Sequence, residues 1–80
     1  MKRKSEEMEF LGALGKAIRT CRTQRRLTQE QLGDLAGVNP KYIGEMERGE
    51  KNPTAVILHK IAIAYNISLS ELFCFETARN

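Results

Sequence analysis

Residues 28–49 read TQEQLGDLAGVNPKYIGEMERG, and the punctuation of this stretch decides the fold. Thr28 followed three residues later by Gln31 is a reciprocal capping box, in which the hydroxyl accepts from the Gln31 amide and the Gln31 side chain reaches back. A helix opens there, with Leu32, Leu35 and Ala36 as its expected inner stripe. Gly37 stands where a helix end needs a positive φ, and Val38 follows as an apolar plug in the turn. Asn39 and Pro40 start the next helix, because Asn caps free amides and Pro at the first helical position gives up a donor that had no partner. That helix runs to about Arg48 and stops at Gly49. Its spacing puts Ile43, Met46 and Glu47 inward and leaves Lys41, Tyr42 and Glu45 on other faces. The stretch encodes two short helices joined by a tight turn, and their close crossing calls for small residues, which Gly33 and Gly37 are expected to supply.

Outward from this unit the chain reads as helices throughout. The only prolines are Pro40 and Pro53, and no alternating strand pattern of useful length occurs. A first helix, starting at Ser5 or Glu9 and ending near Arg25, carries Phe10, Leu11, Leu14, Ala17, Ile18 and Cys21 at three-and-four spacing. After Pro53 a fourth helix, capped by Thr54, carries Leu58, Ile61, Ala62 and Tyr65 on one face and closes at Asn66. Ser68 and Glu71 form a second capping box for a short fifth helix over about Leu69 to Phe75. The expected organisation is a flexible N-terminal tail over residues 1–8, one domain over 9–76 and a frayed end at 77–80.

The chain has 80 residues at 9.1 kDa, enough for one small core and not for two domains. Hydrophobic residues at 41% and charged residues at 29% argue against intrinsic disorder. The longest run without a charged residue, Ile61 to Ser70, is far shorter than a membrane span requires, and a cytoplasmic location is expected. His59 is the single histidine, and Cys21 and Cys74 have no second cysteine at metal-ligand spacing. No nucleophile, base or metal constellation for an enzyme is therefore present, and neither metal nor cofactor is expected. Net charge is +3, unevenly spread. Residues 1–26 carry eight Lys/Arg against three Glu, whereas residues 27–50 carry two against five Asp/Glu. The basic first third suits a polyanion partner, and the acidic middle works against indiscriminate binding.

Taken together, TQEQL, AGV, ERG, the following NP and SLSELF resemble the lambda-repressor-like, Cro/cI-type (XRE) helix-turn-helix transcriptional regulators, over about Leu14 to Phe73. The resemblance implies an all-α, compact five-helix bundle that binds a double-stranded DNA operator, usually as a homodimer, with its third helix in the major groove and no small-molecule ligand. Carried over by position, Lys41, Tyr42 and Glu45, with Pro40 at the rim, match base-reading residues. Gln29 and Thr28, then Asn39, Arg48, Lys51 and Asn52, match DNA-backbone contacts. Arg22 and Glu47 match a bridge that orients the third helix. Gly33 and Gly44 depart from the family pattern and lower helix propensity where they stand.

Val56, His59 and Ile63 repeat at three and four outside the inner stripe of the fourth helix. They read either as peripheral core or, with Phe73 and Phe75, as a homodimer interface. The rival to DNA recognition is a protein-interaction module or antitoxin that keeps the fold with weak or no DNA binding, favoured by the acidic middle third, Pro40 and Gly44.

Overall fold

The computed structural model describes residues 2–75, with side chains described from Ser5 onward. The described residues form α1 (Lys2–Gln24), α2 (Gln29–Ala36), α3 (Pro40–Glu47), α4 (Ala55–Tyr65) and α5 (Leu69–Leu72). α1 and α2 both pack on α3, and α4 packs on α2 and α5. Leu14, Ile18, Leu32, Ala36, Val38, Ile43, Met46, Leu58, Ile61, Ala62, Tyr65 and Leu72 make one core. The Tyr65 hydroxyl, inside it, donates to the Ile18 carbonyl at 2.7 Å. No helix among the described residues is long and apolar enough to cross a membrane.

The ends of the helices follow their caps. Gln31 N donates to Thr28 Oγ1 at 3.0 Å and Thr28 N to Gln31 Oε1 at 2.8 Å. Ser68 and Glu71 repeat the arrangement, Thr54 Oγ1 caps α4, and Asn39 Oδ1 accepts from Lys41 N at 2.8 Å. Gly37 closes α2 at φ 72° and Asn66 closes α4 at φ 60°.

Elsewhere the structure departs from the sequence reading. α1 begins at Lys2, so the stretch expected as a flexible tail is helical from there on. Glu6, Glu7, Met8 and Glu9 are good helix formers, and nothing before Gly12 interrupts them. Leu35, expected on the inner stripe, is 62% exposed. Steps of about 100° per residue put Gly33 and Ala36 on one side of Leu32 and Leu35 on the other, and α3 and α4 cover only the first side. Phe10 is exposed too, a turn beyond the place where α1 meets α3. α5 ends at Leu72, where Cys74 N turns back to the Glu71 carbonyl. The frayed end expected at 77–80 lies outside the described residues.

Candidate nucleic-acid interface

α3 is held against the domain by close backbone approaches on two sides. A Cβ on Gly33 would lie 2.6 Å from the Val38 carbonyl oxygen, so α2 meets the turn through the bare backbone of Gly33. Gly37 plays no part in that crossing. Nothing lies within 4 Å of where its Cβ would be, and what the turn takes from it is the left-handed φ. On the other side, a Cβ on Gly15 would overlap the Met46 carbonyl oxygen and lie 2.7 Å from that of Glu47. The sequence reading missed Gly15. Its only signal is a glycine at a buried register position of α1, three residues before Ile18.

Polar contacts complete the anchoring at the C-terminal end of α3. Arg22 Nε donates to Glu47 Oε2 at 2.7 Å and Arg22 Nη2 to Glu47 Oε1 at 3.0 Å, a bidentate pair. Arg22 Nη1 donates to the Leu27 carbonyl at 2.8 Å, and Gln29 Nε2 donates to Glu47 Oε1 at 3.0 Å. The two charged side chains are only 11% and 4% exposed. The hydrogen bond to Glu47 holds the Arg22 guanidinium further toward its charged form than usual. One carboxylate thus ties the end of α1, the start of α2 and the end of α3.

With its inner side committed in this way, α3 presents Pro40 and Lys41 to solvent and leaves Tyr42 and Glu45 half-buried. Lys41, Tyr42 and Glu45 share an open groove of about 460 Å³ with Gly37, Val38, Asn39, Ile57 and Lys60. Lys60 reaches this groove from α4, outside the positions that the motif suggested. Thr28 and Asn39 cap their helices and sit at the surface. Lys51 and Asn52 are exposed in the loop after α3. Arg48 is exposed but engaged, its Nε donating to Glu50 Oε2 at 2.8 Å. That pairing also holds the Glu50 carboxyl below its usual range.

A helix-turn-helix family model matches residues 18–72. The chain belongs to the helix-turn-helix family. Its relatives are of the XRE type and are transcription regulators and repressors, not enzymes. The control protein C.SmaI of Serratia marcescens is 34% identical over 73 residues, covering 91% of this chain and 87% of its own. The immunity repressor protein of Bacillus phage phi105 is also 34% identical, over 80% of this chain and 44% of its own. Among solved structures, the restriction-modification controller C.AhdI of Aeromonas hydrophila superposes with a TM-score of 0.77 at 40% identity, covering 79% of this chain and 96% of its own. The P22 c2 repressor, solved with a synthetic operator, superposes at 0.70 with 30% identity, covering 75% of this chain and 91% of its own.

The helix-turn-helix unit does not gather the other candidate residues into one place. Val56 and Ile63 are each 62% exposed and His59 is exposed, so this stripe of α4 is not peripheral core. Phe73 and Phe75 instead gather with Phe10 of α1, at ring-centroid distances of 5.8 to 6.3 Å. Arg25, in the basic first third, is drawn into the fold. Its guanidinium lies 4.9 Å from the centre of the Tyr65 ring and donates to the carbonyls of Cys21 and Tyr65.

Proposed function

We propose that this chain is a sequence-specific DNA-binding transcription regulator of the cytoplasm. It occupies a pseudo-palindromic operator as a homodimer, with α3 in the major groove. The observation that carries this reading is the state of α3. Its inner side is pinned by Gly15, Gly33 and Glu47, while Pro40 and Lys41 stand exposed and Glu45 and Tyr42, the latter packed in part against the core, stay half-exposed beside them. A helix carried rigidly with donor, acceptor and aromatic groups on its outer face suits base edges in the major groove.

In this reading Lys41 donates to guanine O6 and N7, Glu45 accepts from cytosine N4, and Pro40 and Tyr42 offer apolar contact to a thymine methyl. Thr28, Asn39, Lys51 and Asn52 flank the helix as backbone contacts, and Arg48 joins them by exchanging Glu50 for a phosphate. Two α3 helices about 34 Å apart would match one helical turn of DNA. The exposed Val56/His59/Ile63 stripe and the Phe10/Phe73/Phe75 cluster are two apolar surfaces open to a second copy. The relatives support the reading, being control proteins and repressors, some of them solved on DNA.

The test is selection from a randomised duplex library at moderate salt, repeated with the double substitution Lys41→Ala/Glu45→Ala. The expected result is a palindromic consensus that the double substitution abolishes. Its affinity should fall with salt in proportion to the number of phosphates contacted. No enrichment above nonspecific duplex would overturn the reading in favour of a protein-interaction module.

A further inference from the structure

We infer that the Gln29 side chain is a positioning residue for the DNA-reading helix, seated in a notch that Gly44 leaves open, rather than a ligand of the DNA backbone. This rests on the reading of α3 given above. It starts from Gly44, a buried glycine inside an eight-residue helix, where alanine would favour the helix more. An alanine Cβ there would lie 3.3 Å from Gln29 Oε1, 3.4 Å from Gln29 Nε2 and 3.4 Å from Arg48 Nη1. The carboxamide therefore lies across the bare backbone of α3.

From that seat Gln29 Nε2 donates to Glu47 Oε1, the oxygen that also accepts from Arg22 Nη2. The first residue of α2 is thereby joined to the last residue of α3. The leverage is large for one hydrogen bond. Lys41 lies six residues from Glu47, about 9 Å along the helix at 1.5 Å per residue. A tilt of roughly 6° about the Glu47 end then moves the Lys41 backbone by about 1 Å, enough to spoil a bidentate contact to a base edge. A carboxamide committed to Glu47 and packed on Gly44 is poorly placed to reach outward for a phosphate.

The experiment compares wild type with Gln29→Ala and Gln29→Glu on the selected operator and on a nonspecific duplex. A positioning role predicts that the ratio of operator to nonspecific affinity falls about tenfold for Gln29→Ala. It should fall further for Gln29→Glu, which sets a carboxylate against Glu47. A phosphate ligand would instead weaken both duplexes equally and leave the ratio unchanged, which would overturn the inference. A second arm needs no DNA. Gly44→Ala should raise the folding equilibrium constant about fivefold in the Gln29→Ala background, and by less than half of that where Gln29 is present. Equal gains in both backgrounds would refute the notch. If wild type selects no operator, the proposed function fails, and the unfolding arm alone decides whether Gln29 is seated on Gly44.

Discussion

Replacing Arg22 by alanine should damage the domain more than any exposed charge would. The substitution removes two of the three hydrogen bonds to the Glu47 carboxylate, at 2.7 and 3.0 Å, and leaves Gln29 Nε2 as its remaining donor. It also strips the Leu27 carbonyl of a donor at 2.8 Å. Removing one partner of a buried ion pair costs about 3–5 kcal/mol, because the other charge stays behind without compensation. The Glu47 side chain is almost wholly covered, but the pair is only part-buried, and water can enter where Arg22 was. The expected cost is therefore at the lower end, about 3 kcal/mol. A domain of this size has roughly 4–12 kcal/mol in all. With a urea m-value of about 1–3 kcal/mol/M, the unfolding midpoint should fall by roughly 1–3 M. The double substitution Arg22→Met/Glu47→Met should recover at least half of the loss, since apolar replacement of a buried pair is often close to neutral. Equilibrium unfolding followed by far-UV circular dichroism measures both. An Arg22→Ala unfolding free energy within about 0.5 kcal/mol of wild type would refute the view that the Glu47 carboxylate needs its partner.

Gly15→Ala should destabilise by about 1–3 kcal/mol, because its Cβ meets backbone atoms of Met46 and Glu47 that cannot rotate away. Gly12→Ala, three residues earlier with open space around it, should stabilise by up to about 1 kcal/mol. Thermal unfolding of the two variants reads the opposite signs. Gly37→Ala should cost about 1 kcal/mol through its φ of 72° alone, and Gly37→Asn less, since Asn tolerates the left-handed region. Chemical denaturation should rank them in that order. Tyr65→Phe removes the second hydrogen bond on the Ile18 carbonyl, which keeps its bond within α1, and should cost about 0.5–1.5 kcal/mol at neutral pH. Burial pushes the Tyr65 hydroxyl well above its usual range, so above pH 10 the unfolded chain releases this proton while the folded chain keeps it. This contribution to stability is complete below pH 10 and declines as pH rises beyond it. Unfolding measured from pH 9 to 11 should show a steeper alkaline decline for wild type than for Tyr65→Phe.

What the sequence determined by itself was local. The capping boxes at Thr28/Gln31 and Ser68/Glu71, the Asn39–Pro40 start and the left-handed ends at Gly37 and Asn66 each involve residues within about three positions of one another. Their chemistry acts over one helical turn, so reading residue types in order is enough to place the helices and the turn. Periodicity then assigned Leu58, Ile61, Ala62 and Tyr65 to the core, because α4 buries a full face. It misassigned Leu35 and Phe10, since the width of the buried arc depends on which neighbours approach and from where. The Arg22–Glu47 pair, 25 residues apart, was reachable only through the family pattern. Two features depended on residues far apart in the sequence: the contact of Gly15 with the end of α3 and the seat of Gln29 on Gly44. Each depends on two backbones arriving at a given separation. That separation is set by the packing of the whole core, so only the tertiary structure decided how α3 is held and which of its side chains are left to act.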